Sequence, residues 1–188
     1  HTASVCGSGS GQRQAMTVSV VTGAGGMLGG HLVRRLLDTG NEVRAVDVKP
    51  IAEWWQAHHD AENLPRCDME SPRMALAALE GVEEVWALAC RMGGIFFIEQ
   101  NRAECATSVV MTAQTLRAAV QQGCQRLLLT SSACVYPAHL QDRPDVDALR
   151  ESDAWPAASE PGYGEAKLHD EQMARYFRED FGLETRIA

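Results

Sequence analysis

VVTGAGGMLGG, residues 20–30, spaces Gly23, Gly26 and Gly29 three apart, between a β-branched apolar run and an amphipathic segment. The run Val18–Thr22 predicts a strand, and Met27–Asp38, stopping near Gly40, predicts a helix. A glycine-rich turn between a strand and a helix has a physical use. The first glycine permits the tight turn, the second lets backbone approach a pyrophosphate, and the third lets the helix pack closely. The N–H groups at the helix start then face the phosphates, which here lie beside Met27 and Leu28.

The same alternation continues downstream. Strands are predicted at Glu42–Asp47, in LPRCDME before Asp68, at Val85–Leu88, at Arg126–Ser131 and from Glu184. Helices are predicted at Arg73–Leu79, Arg102–Gln121 and Tyr163–Phe181. Strands alternating with helices imply parallel strands with right-handed crossovers. The expected fold is therefore α/β, a Rossmann-type doubly wound parallel sheet with helices on both faces. The polar, Gly- and Ser-rich residues 1–15 read as a tail, with the folded domain running from Met16 to Ala188.

With 188 residues the chain has room for one core of ordinary size. An apolar fraction of 45% with 22% charged residues is that of a soluble globular protein, and a cytoplasmic location is expected. A formal net charge of -8 argues against a nucleic-acid partner, which needs a basic surface. No apolar run approaches the roughly 20 residues that cross a bilayer. Six cysteines without a CxxC pair or a Cys/His cluster predict neither a metal site nor a disulfide framework, and most are expected to be buried thiols.

Candidate site residues follow from position. Asp47 ends the second strand 24 residues after Gly23, where a carboxylate accepts both adenosine ribose hydroxyls and repels a 2′-phosphate. That favours NAD over NADP. Asp68 is placed either to hold the adenine or to serve as a turn or helix-capping aspartate before Ser71. Ser132 follows the strand at Arg126, and 31 residues later Tyr163-Gly-Glu-Ala-Lys167 sets a phenol and an ammonium four apart on one helix face. A nearby cation is expected to lower the phenol pKa toward neutrality and make Tyr163 a usable base. Trp54-Trp55 and His58-His59 read as surface-loop packing, and Asp142–Asp153 as a solvated acidic loop turning at Pro144.

Taken together, the Gly-rich turn, Asp47, Ser132, Tyr163 and Lys167 resemble the extended short-chain dehydrogenase/reductase family over Met16–Ala188. MGGIFFIEQN from Met92, SSACVYP from Ser131, ESDAWPA from Glu151 and GYGEAKL from Gly162 are similar to its GDP-mannose 3,5-epimerase branch. The resemblance implies an NAD-dependent isomerase acting on a nucleotide sugar of the GDP-mannose kind. In that chemistry Tyr163 takes the proton of the hexose 4-hydroxyl, and the 4-ketone acidifies carbons 3 and 5. Cys134 takes the place of the ring base, and Gly93, Ser132 and Ala133 border the hexose. It further implies that the chain is cut off before its substrate domain, with the opposing acid a lysine past residue 188. Family members commonly pair as homodimers through two helices, here Arg102–Gln121 and Tyr163–Phe181. Arg91 and Phe96 depart from the family pattern: members usually read Ala-Asp-Met where this chain has Cys90-Arg91-Met92, and a small residue is expected at 96. The alternatives are another 4-epimerase or 4,6-dehydratase in which Cys134 is idle, and a non-catalytic NAD-binding module.

Overall fold

The computed structural model describes residues 17–141 and 148–188. Strands β1 (Val18–Thr22), β2 (Glu42–Asp47), β3 (Glu62–Pro65), β4 (Glu84–Ala87), β5 (Arg126–Leu129) and β6 (Glu184–Ile187) form one parallel sheet in the order β3-β2-β1-β4-β5-β6. The order reverses between β1 and β4. At such a switch point the two crossovers leave in opposite directions and open a crevice at the carboxyl ends of the strands.

Period-two patterning explains the layers. Val20 pairs with Val85, and Val85 with Leu127, all on one face. They pack with Leu79, Leu116, Ala119 and Ala174 from α2 (Pro72–Ala78) with its end, α5 (Ser108–Gln122) and α6 (Tyr163–Phe181). Val21, Val43 and Ala45 point the other way and pack on Val33 and Leu36 of α1 (Met27–Asp38). Helices thus cover both faces, as expected. α1, β1, β2 and α6 lie where the sequence pattern sets them, because each is bounded by a strong stop: Gly40 and Gly182 end the two helices in left-handed backbone.

The structure departs from expectation in identifiable places. The helix expected over Arg102–Gln121 is two, α4 (Arg102–Ala106) and α5, divided at Thr107, whose hydroxyl donates to the Glu104 carbonyl at 2.7 Å. A hydroxyl bonded back to the preceding turn competes with helix continuation. The segment Ile95–Gln100 forms α3, which the sequence reading did not resolve. β5 ends at Leu129, leaving Thr130 and Ser131 beyond the strand. Trp54 is a core residue rather than surface packing, 8% exposed, with its indole N–H donating to the Lys49 carbonyl at 3.1 Å; Trp55 is exposed. Of the five cysteines in the described residues only Cys105 and Cys124 are buried, and all five are free. Residues 142–147 of the acidic segment, with its turn at Pro144, and residues 1–16 lie outside the described residues. No helix among the described residues is long and apolar enough to cross a membrane.

Candidate functional site

A cleft of about 520 Å³ opens at the switch point. Every residue the sequence marked for the dinucleotide lines it: Gly23, Gly26, Met27, Leu28, Gly29, Asp47, Asp68, Tyr163 and Lys167. These residues come from the β1–α1 turn, the end of β2, the loop after β3 and the first turns of α6, so only the fold makes them neighbours.

The turn is built around backbone contacts. Gly23 has φ +73°, and a Cβ there would sit 3.0 Å from the Ala89 nitrogen across the switch point. A Cβ on Gly29 would stand 2.2 Å from the Gly23 carbonyl oxygen, so α1 packs on the turn itself. Gly26 meets only that same oxygen, at 3.3 Å, and its other side is open to the cleft. The α1 N-terminus has no side-chain cap and no acidic residue in its first turn. Its free N–H groups and positive dipole end suit an anion.

Asp47 is 7% exposed. One carboxylate oxygen accepts the Gly25 N–H at 2.9 Å and the other accepts the Lys49 N–H at 2.9 Å, which locks the side chain between the turn and the end of β2. Trp54 closes behind this joint, since a Cβ on Gly25 would lie 2.7 Å from its indole ring. Asp68 accepts the Glu70 N–H at 2.9 Å and so makes the turn before Ser71, while also lining the cleft. The turn-making reading of Asp68 is the one this hydrogen bond bears out. The uncapped helix start, the glycine cradle and the anchored carboxylate fit a dinucleotide of the NAD type.

At the other end, Tyr163 is 5% exposed in a cluster with Ile98 and Cys105, against which Cys90 and Cys134 pack. The expectation that Lys167 lowers its pKa is corrected here. Burial pushes the phenol up, with Cys90 adding to the rise, while the Ser132 hydroxyl favours the ionised form. The Lys167 ammonium is directed elsewhere: it donates to the Thr130 carbonyl at 2.9 Å and lies 3.8 Å from Asp170. Cys134 is half-buried, and burial likewise raises its thiol; Ser132 opposes the rise and Glu160 adds to it. Ser132 accepts the Cys134 N–H at 3.2 Å through its hydroxyl oxygen, and this bond sets the tight turn Ala133–Val135. Gly164, one residue after Tyr163, admits this turn, because a Cβ there would stand 2.1 Å from the Cys134 carbonyl oxygen.

Ser132 and Cys134 are therefore gathered beside Tyr163. None of Gly93, Ser132, Ala133 and Cys134 lines the cleft itself, and Gly93 packs against Phe97. Phe96 projects to solvent at 76% exposure. Arg91 lines the cleft and bridges Glu70 and Glu104, each at 2.5 Å, tying the loop after β3 to α4. The sequence reading missed Asp170 and Glu160. A carboxylate three residues after Lys167 on the inward helix face was the available signal for Asp170. Nothing local signals Glu160.

Residues 19–188 match the profile of the NAD dependent epimerase/dehydratase family. GDP-mannose 3,5-epimerase of Arabidopsis thaliana is 35% identical over 173 residues, covering 89% of this chain and 44% of that enzyme. This chain thus spans less than half the length of that relative. Among solved structures, a short-chain dehydrogenase/reductase superfamily protein from Agrobacterium tumefaciens with bound NAD superposes with a TM-score of 0.74 at 27% identity, covering 90% of this chain and 48% of that one. UDP-glucose 4-epimerase of Thermotoga maritima, solved with UDP-glucose, gives a TM-score of 0.75 at 20% identity, covering 91% and 54%; at that identity it speaks for the fold alone.

Proposed function

The chain belongs to the NAD dependent epimerase/dehydratase family, and from that premise we propose that it is the nucleotide-binding part of a GDP-mannose 3,5-epimerase-like enzyme. The observation that carries this reading is the grouping of Ser132 and Cys134 beside Tyr163, which itself lines the cleft that the Gly23–Gly29 turn and Asp47 also line. The similarity to the Arabidopsis epimerase supports a GDP-hexose as the substrate.

Bound between the Gly-rich turn and Tyr163, NAD supplies reversible oxidation at a sugar carbon. Asp47 holds the adenosine ribose, and the start of α1 faces the pyrophosphate. Tyr163 takes the proton of the hexose 4-hydroxyl and returns it at the end, and Ser132 orients that hydroxyl. The carbonyl formed at carbon 4 acidifies carbons 3 and 5, so a weak base suffices for epimerisation. Cys134 acts as that base and must pass its own proton on before each abstraction. Glu160, beside the thiol, adds to the rise that burial imposes, so the resting thiol is protonated and the base forms only on loss of that proton. The active form is a homodimer paired through α5 and α6, working in the cytoplasm.

A second reading has its own support. The Cys134 thiol is held protonated by burial and Glu160, which suits a 4-epimerase or 4,6-dehydratase that leaves it idle. Solvent deuterium exchange at carbons 3 and 5 of GDP-mannose separates the two. Exchange that requires NAD and disappears in Cys134→Ser supports the 3,5-epimerase; NAD binding without exchange sinks it and leaves the second reading.

A further inference from the structure

Asp170 sits on α6 three residues after Lys167, 0% exposed, and neither carboxylate oxygen finds a hydrogen-bond partner among the described residues. A buried carboxylate without hydrogen bonds is costly and persists where something offsets it. Its ion-pair partner is the Lys167 ammonium, itself 3% exposed, at 3.8 Å. That distance is an ion pair without a hydrogen bond. The ammonium is thus held from two sides, by the Thr130 carbonyl at the end of β5 and by the Asp170 charge on the α5 side.

We propose that Asp170 is a positioning residue for Lys167, holding its ammonium back toward α5 and screening part of its charge from the Tyr163 phenol. The proposal rests on the assignment of Tyr163 and Lys167 as the proton-handling pair. One helix carries all three groups, Tyr163, Lys167 and Asp170, at spacings of four and three, so they form a row along one face. A carboxylate at one end of that row and a phenol at the other compete for the same positive charge.

The ionisation of Asp170 makes this competition adjustable. Burial lifts its pKa from 3.8 to about 6, against the lowering effects of Lys167, the Thr112 hydroxyl on α5 and His169; Glu171 adds to the rise. Above about 6 the carboxylate is charged and draws on Lys167. Below it, the neutral acid releases the full field of the ammonium toward Tyr163. Thr112 faces Asp170 closely enough to favour the charged form without satisfying either oxygen.

The test follows the Tyr163 phenol by nuclear magnetic resonance of isotope-labelled tyrosine in the full chain, with Tyr163→Phe to assign the signal, and a cooperative unfolding transition as the check on folding. Asp170→Asn should lower the Tyr163 titration midpoint by about one unit, which is about tenfold more phenolate at a fixed lower pH. Asp170→Ser, which also removes the charge, should shift it the same way, and it covers the case in which the Asn variant does not fold. In a Lys167→Met background the Asp170→Asn shift should vanish, since the effect travels through the lysine. A shift that survives there, or no shift in Asp170→Asn and Asp170→Ser while Lys167→Met still moves Tyr163, overturns the role of Asp170 alone. If Lys167→Met leaves Tyr163 unmoved, the proton-handling pair itself falls, and the role of Asp170 with it.

Discussion

Gly164→Ala tests whether the approach of the Cys134 turn to α6 shapes the site. The added Cβ would meet the Cys134 carbonyl oxygen at 2.1 Å and its carbon at 2.9 Å, both of them backbone, so neither can rotate away. Restoring ordinary contact requires the Ser132–Cys134 turn and the start of α6 to separate by about 1 Å. Overpacking of this kind costs about 1–3 kcal/mol. In a domain of this size that lowers the melting temperature by roughly 2–12 °C. Gly94→Ala is the matched control, because a Cβ there meets nothing within 4 Å. The same separation moves Ser132 and Cys134 off Tyr163, and a displacement of about 1 Å at reacting groups costs about a hundredfold in turnover. Thermal unfolding of both variants, with carbon 3 and 5 exchange as the second readout, is the assay. Refutation would be a Gly164→Ala protein that melts with the Gly94→Ala control and exchanges at the parent rate.

Three further outcomes are expected. Asp170 has a folded pKa raised above 3.8 to about 6, so the folded state binds more protons than the unfolded one in that window and wild-type stability falls relative to Asp170→Asn as pH rises through it. The difference amounts to about 3 kcal/mol, and urea unfolding at a series of pH values will show it; a constant gap between the two proteins from pH 4 to pH 7 contradicts it. Asp47→Ala strands the Gly25 and Lys49 N–H groups and should cost about 1–3 kcal/mol in stability and more than tenfold in NAD affinity, read by calorimetric titration; unchanged affinity removes Asp47 from the cofactor site. Arg91→Ala breaks pairs to Glu70 and Glu104 that are partly open to solvent, so stability should change by less than about 1 kcal/mol; a loss of several kcal/mol in denaturant unfolding would show that the bridge is structural.

The parallel fold was readable from local patterns because the physics that sets it is local. Strand segments of four to six residues, Gly40 and Gly182 as helix stops, and the Gly23–Gly29 turn each act within a few residues. The family resemblance added the order of the parts. The sequence also marked nine of the residues that line the cleft, since each stands at a strand end or helix start whose place the Rossmann topology dictates. Short elements escaped it: α3 has six residues, too few for periodicity to declare itself, and the break at Thr107 depends on one hydroxyl.

What only the tertiary structure decided concerns groups far apart along the chain. Tyr163 and Lys167 are visible as a pair in the sequence, but the direction of the Tyr163 pKa depends on Cys90 and Cys105, brought in by β4 and α4. Desolvation by these neighbours outweighs a cation that the fold turns toward Thr130 and Asp170. Trp54 behind the Gly-rich turn and Glu160 beside Cys134 are placed in the same way. Spacing along a chain determines which residues share an element, whereas burial and charge depend on every element packed around a group, and that sum exists only in the folded protein.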